Sequence, residues 1–144
     1  MRKKGNSKIL VVDGDADVQR RLESLFAAAG FEVFQAFSGG QAIDYFVTEK
    51  PDLIVLDLEL GTKSSDINGF DLTRFIKKVQ NDPAPIVIYS DRKDRIDGVL
   101  KYGVSIFVSK SAPDEEIQSV VYNLLENSPP RAVTPPQGGR SNFQ

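Results

Sequence analysis

The chain contains no cysteine and no histidine. Without thiols there is no disulfide framework and no thiolate chemistry, and without imidazole the commonest general base and metal ligand are missing. Histidine-based phosphotransfer by this chain itself is excluded. No apolar run approaches the roughly 20 residues that a membrane helix requires, so no membrane partner is expected. The basic start, Met1 to Lys8, is not followed by the apolar stretch and small-residue cleavage site of a secretory signal. The expected location is cytoplasmic. Acidic groups are missing from both ends: residues 1–8 carry four positive and no negative charges, and residues 127–144 carry two positive and none negative. The overall charge of −2 therefore leaves −8 on residues 9–126. A body so acidic is repelled by phosphate backbones, which argues against direct nucleic-acid binding and favours metal cations or basic partners.

At 144 residues the chain suits one domain with a sizeable core. Apolar residues at 40% and charged residues at 26% fit an ordinary globular protein, so a packed core is expected. Short apolar runs at Ile9–Val12, Phe31–Ala36, Leu53–Leu56, Ile86–Tyr89 and Val104–Val108 alternate with segments of helical spacing. The helical stripes are Val18, Leu22, Leu25, Phe26 and Ala29; Leu72, Phe75, Ile76 and Val79; and Ile117, Val120, Val121, Leu124 and Leu125. Ser38-Gly39-Gly40 opens a second helix, and a weakly apolar fourth is placed near Arg92 to Lys101. Continuous runs such as Leu53-Ile54-Val55-Leu56 fit strands covered on both faces, which predicts a doubly wound parallel α/β sheet. The domain is placed at residues 8–126, after a basic segment at 1–7. Residues 127–144, rich in proline and glycine, are expected to be a flexible tail or a linker to a C-terminal effector domain outside this sequence.

In an open parallel sheet, ligands gather at the carboxyl ends of the strands. Here those ends are polar: Asp13-Gly14-Asp15-Ala16-Asp17 after strand one, Asp57 after strand three, Ser90-Asp91 after strand four and Ser109-Lys110 after strand five. Asp57 is expected to stand exposed at the end of a buried central strand. Clustered carboxylates suit a hard cation such as Mg2+, and the cation then neutralises a phosphoryl group brought to a nucleophilic carboxylate. Lys110 and Ser90 would stabilise charge on the transferring group. Asp15 and Asp17 equally suit the N-cap and first turn of helix one.

Ile9-Leu-Val-Val-Asp13, Pro51-Asp-Leu-Ile-Val-Leu-Asp57-Leu, Pro85-Ile-Val-Ile-Tyr-Ser90 and Phe107-Val-Ser-Lys110 occur in one order over residues 8–126. Together they resemble the receiver domain of bacterial two-component response regulators. The resemblance implies a flavodoxin-like sheet of five strands in order 2-1-3-4-5 with five helices. It implies that Asp57 accepts phosphate from a sensor histidine kinase or phosphotransfer protein, with Mg2+ held by Asp13, Asp57 and the Glu59 backbone carbonyl. Ser90 and Phe107 would be the switch pair, Lys110 the phosphate contact, and the face of helix four, strand five and helix five the output surface, open to homodimer formation. No enzymatic activity is implied beyond Mg2+-dependent autophosphorylation.

Three positions and one insertion depart from the family pattern. Gly14 stands where a second acidic metal ligand is expected, so Mg2+ loses a carboxylate unless Asp15 replaces it. Gly61–Asn68 is an insertion, either a surface extension or a segment across the pocket. Asp91 replaces a small residue and is expected to hinder access to the pocket. Ser111 replaces a common proline. An atypical receiver that acts as a phosphorylation-independent interaction module is the alternative these departures motivate. Asp13-Gly14-Asp15 also looks like the nucleophile motif of the haloacid dehalogenase superfamily, although that reading gives Asp57 no role.

Overall fold

A computed structural model of the chain describes residues 7–60, 66–92, 101, 103–104 and 106–127. Five strands, β1 (Lys8–Val12), β2 (Glu32–Ala36), β3 (Leu53–Leu56), β4 (Ile86–Ser90) and β5 (Ile106–Ser109), form one parallel sheet in the order β2-β1-β3-β4-β5. Four helices lie among the described residues: α1 (Ala16–Ala28), α2 (Gly39–Glu49), α3 (Gly69–Arg74) and α4 (Asp114–Asn127). The last of these is the fifth helical segment of the sequence pattern. Most of the fourth, at 93–100, lies outside the described residues, as do 61–65 within the insertion and all of the tail from 128.

Strand side chains alternate between the two faces of the sheet, which divides the core in two. Leu10, Val12, Ile54, Leu56, Ile86 and Ile88 face α2 and α3, where they meet Ala42, Phe46, Leu72 and Ile76. Ile9, Val11, Leu53, Val55, Val87 and Tyr89 face α1 and α4, where they meet Leu22, Phe26, Ile117, Val121 and Leu125. Each such fully buried Val, Leu, Ile or Phe side chain contributes roughly 1.5–3 kcal/mol of transfer free energy. The helical stripes thus pack as their spacing predicts, with one exception. Val79 is 57% exposed. The end of the third helix, Phe75–Val79, is π-helical, and the Gln80 N–H donates to Phe75 O five residues back at 2.8 Å. That wider turn inserts a residue into the repeat, and Val79 is carried off the buried stripe.

Helix starts follow their capping residues. The Ser38 Oγ accepts from the Gln41 N–H, and Asn68 forms a reciprocal capping box with Asp71. The starts of α1, α2 and α3 all lie at the carboxyl edge of the sheet.

Candidate functional site

Three residues just past the strands extend the ladder by one backbone bond each. The Asp13 N–H donates to Ala36 O of β2, the Asp57 N–H to Val12 O of β1, and the Lys110 N–H to Ser90 O of β4. These bonds aim three charged side chains from three strand ends at one point. Lys110 Nζ lies 2.8 Å from Asp13 Oδ2 and 3.0 Å from Asp57 Oδ2. The remaining carboxylate oxygens accept backbone N–H groups, Asp13 Oδ1 from Asp15 at 2.8 Å and Asp57 Oδ1 from Glu59 at 3.0 Å.

Asp57 does not stand exposed, as its position at a strand end suggests; it is 7% exposed. Neighbouring Leu58 and Leu60 fold inward and are also buried, and Gly69 brings the start of α3 against the site. A Cβ on Gly69 would stand 2.9 Å from Asp57 O and Leu58 Cα, so the close approach requires glycine. The carboxylates open instead into a recess of about 760 Å³. Its other walls are Gly14, Asp15, Phe37–Gly40, Glu59, Leu60, Asp66 and Ile67.

Burial pushes the Asp13 carboxyl above the usual carboxylate range, and the hydrogen bonds from Lys110 and from the Asp15 N–H only partly oppose it. For Lys110, burial is the largest single influence and lowers its affinity for a proton. The hydrogen bonds and charges of Asp13 and Asp57 together outweigh burial, and the net shift is upward. Lys110 is therefore a firmly held cation between two carboxylates.

The other residues singled out by sequence fall into two groups. Asp15 and Glu59 line the recess, but Asp15 is exposed and caps α1, its Oδ1 accepting from the Asp17 N–H at 2.8 Å and the Val18 N–H at 3.3 Å. Ser90 and Phe107 are not walls of the recess. Ser90 is fully buried and its Oγ accepts from the Arg92 N–H at 3.1 Å, while Phe107 is half-buried against the α2 and α3 side of the core. Asp91 also stays out of the recess: its Oδ1 accepts from Ser111 Oγ at 3.0 Å and Ser109 Oγ at 3.4 Å. The described end of the insertion is no free extension, because Ile67 packs on Gly39 at the start of α2.

The donor set fits a hard cation at its minimum. Two carboxylate oxygens converge on a single positive group, here the Lys110 ammonium, and Mg2+ is commonly held by one or two carboxylates with water completing the shell. A third carboxylate is not gathered: among the described residues no three acidic, histidine or cysteine side chains form a metal cluster. Gly14, at the vacant ligand position, is sterically open, since a Cβ there would meet only Phe37 O at 3.7 Å.

One residue of the site escaped the sequence pattern. Gln19 is buried on the inner stripe of α1, and its amide reaches the backbone of Asp13. The signal was available, for Gln19 precedes Leu22 and Phe26 by three and seven residues and is a polar group on an apolar stripe.

A doubly wound sheet with a buried acidic pair and a lysine at its carboxyl edge has the architecture of a receiver-type signalling domain. The family model of the response regulator receiver domain matches residues 9–122, and the chain belongs to that family. A probable transcriptional regulator, ycf27, of Porphyridium aerugineum is 30% identical over 119 residues, covering 82% of this chain and 48% of the relative. Sporulation initiation phosphotransferase F of Bacillus subtilis is 27% identical over 121 residues, covering 83% of this chain and 94% of the relative. The solved receiver domain of the Francisella response regulator 1452 superposes with a TM-score of 0.73 at 27% identity, covering 84% of this chain and 98% of that one. The chain spans about half the length of several curated relatives it matches. Receiver domains are signalling modules of two-component systems that work with histidine kinases or phosphotransfer proteins, and they typically bind Mg2+ in the acidic pocket. No described helix is long and apolar enough to cross a membrane.

Proposed function

We propose that Asp57 is the phosphoacceptor of this receiver, taking a phosphoryl group from the phosphohistidine of a sensor kinase or phosphotransfer protein. The observation that carries the reading is the Lys110 ammonium held between Asp13 and Asp57 at the mouth-facing edge of the sheet. In the transfer, a carboxylate oxygen of Asp57 forms a bond to phosphorus while the donor's N–P bond breaks, and its electron pair stays on the imidazole nitrogen. Lys110 turns from the carboxylates to the phosphoryl oxygens, where its charge offsets the charge of the transferring group. Asp13, Asp57 and the Glu59 carbonyl would hold Mg2+, which would supply further charge neutralisation there. Asp15 serves as the helix cap and leaves that set at two carboxylates.

The output follows from the fully buried Ser90. Its hydroxyl turns from the Arg92 N–H toward the new phosphoryl group, Phe107 repacks, and the affinity of the β5 and α4 face for a partner changes. That partner is an effector domain outside this sequence or a second copy of the chain, in the cytoplasm, with no direct contact to nucleic acid or membrane from this domain. A phosphorylation-independent interaction module is the second reading, favoured by Gly14 and by the engagement of Asp15 at the helix cap.

Incubation with Mg2+ and acetyl phosphate, followed by intact-mass measurement, tests the first reading. A gain of one phosphoryl group in the wild type and none in Asp57→Asn is expected. No gain even at high Mg2+, together with no response to beryllofluoride, leaves the second reading standing.

A further inference from the structure

Gln19 is 1% exposed, as deeply buried as Leu22 and Phe26 on the same stripe of α1. Its Nε2 lies 3.1 Å from Val11 O, 3.0 Å from Asp13 O and 2.8 Å from Ala36 O. One amide thus gathers the carbonyls at the ends of β1 and β2. Two N–H groups meet three acceptors, so one of them is shared. The orientation of the amide follows from the same contacts, because exchanging its nitrogen and oxygen would set Oε1 against three carbonyl oxygens.

The arrangement is costly. Gln19 Oε1 is buried with no hydrogen-bond partner among the described residues, and a buried acceptor left unpaired loses its hydration without return. Filling the stripe would be met better by a leucine or methionine of similar size. What this position uses is the donor.

The donor acts on Asp13. The Asp13 N–H is held by Ala36 O, its C=O by Gln19, and both of those partners are themselves joined through the Gln19 to Ala36 bond. With its backbone fixed on both sides, Asp13 presents one carboxylate oxygen to the Asp15 N–H and the other to Lys110. Without the amide, three carbonyls at the sheet edge lose a partner, and the turn that carries Asp13 is free to rotate away from Asp57.

We propose that Gln19 is a positioning residue, which fixes the Asp13 backbone and through it the convergence of the Asp13 and Asp57 carboxylates on a cation. The proposal rests on the phosphoacceptor reading of the site, and its test separates the two. Gln19→Met keeps the length and removes the donors; Gln19→Arg restores several N–H donors and carries no acceptor to leave unpaired. Two quantities are read in each: the Mg2+ half-saturation by calorimetry, and the hydrogen exchange of the Asp13 amide relative to that of Val55 in the central strand.

In Gln19→Met the Asp13 amide is expected to exchange at least about tenfold faster relative to Val55, and the Mg2+ half-saturation to rise about tenfold, in the range seen for groups that orient metal ligands. Gln19→Arg is expected to return both toward wild type. The proposal is overturned if the exchange ratio and the Mg2+ midpoint of Gln19→Met stay within twofold of wild type, or if Gln19→Arg behaves like Gln19→Met. Where Gln19→Met does not fold, Gln19→Asn, which keeps the amide but is too short to reach Ala36, carries the same expectations. Wild-type protein that binds no Mg2+ overturns the phosphoacceptor reading, and the exchange ratio then decides the positioning role by itself.

Discussion

Ile67 rests so closely on Gly39 that a Cβ built on Gly39 would stand 2.6 Å from both Ile67 Cβ and Ile67 O. The first turn of α2 and the described end of the insertion are therefore packed as one wall of the recess. Gly39→Ala forces either the helix start or Ile67 to move, and overpacking of this kind costs about 1–3 kcal/mol. Urea unfolding should show a lower midpoint at an unchanged slope. Adding Ile67→Ala should recover only part of the loss, because the Ile67 carbonyl still meets the new methyl group. A Gly39→Ala protein as stable as wild type would show that the two segments are not in contact.

Gly14 is the departure with the most direct chemical consequence. Nothing blocks a side chain there, and the residue already lines the recess. Gly14→Asp should add a third carboxylate beside Asp13 and Asp57 and tighten Mg2+ binding by about tenfold, since affinity at such sites follows the number of charged ligands. Calorimetric titration with Mg2+ measures it directly. An unchanged midpoint would mean that position 14 faces away from the cation.

The strands and the gathering of Asp13, Asp57 and Lys110 were legible because continuous apolar runs and polar strand ends are local signals, whereas the strand order came only with the family resemblance. The burial of Asp57 was not, since it depends on Gly69 bringing α3 against the Asp57 backbone across the insertion. Val79 was misplaced because a π-helical turn shifts the repeat without any change in composition. Gln19 was passed over for a different reason. A stripe is judged by its apolar members, so a polar residue on it is passed over although its place in the repeat marks it, and the carbonyls it meets are known only from the fold. The role of Asp15 as a helix cap, by contrast, was among the readings its position allowed.

Asp13 gives the pH dependence of stability its sign. Its folded pKa lies above the ordinary 3.8, chiefly through burial. A raised carboxyl contributes stability below its unfolded value, and that contribution is lost as pH climbs through the folded value. Above its folded value the ionised Asp13 is therefore a cost, and Asp13→Asn should raise the melting temperature of the domain there. The gain should shrink as the pH falls toward the acid range, while phosphorylation of Asp57 weakens. Lys110 follows the same rule at the other end of the scale: its contribution is complete below 10.5 and is lost as pH rises through the raised folded value. Asp13→Asn melting below wild type at pH 7 would contradict this account.

Asp91 was expected to obstruct the recess with its charge, and the structure turns that charge elsewhere. Its Oδ1 holds Ser109 and Ser111, the residues on either side of Lys110, and Ser109 Oγ in turn accepts from the Ser111 N–H at 3.1 Å. Removing the carboxylate should therefore loosen the turn that carries Lys110 and leave the approach to Asp57 as it was. These bonds are exposed, so Asp91→Ala should lose no more than about 1 kcal/mol. The rate of phosphorylation by acetyl phosphate should be unchanged or slightly lower, within about twofold, because Lys110 keeps its two carboxylate partners. An obstructing side chain predicts the reverse, a rate several times faster in Asp91→Ala. Time courses of intact mass for the two proteins at equal Mg2+ separate these outcomes.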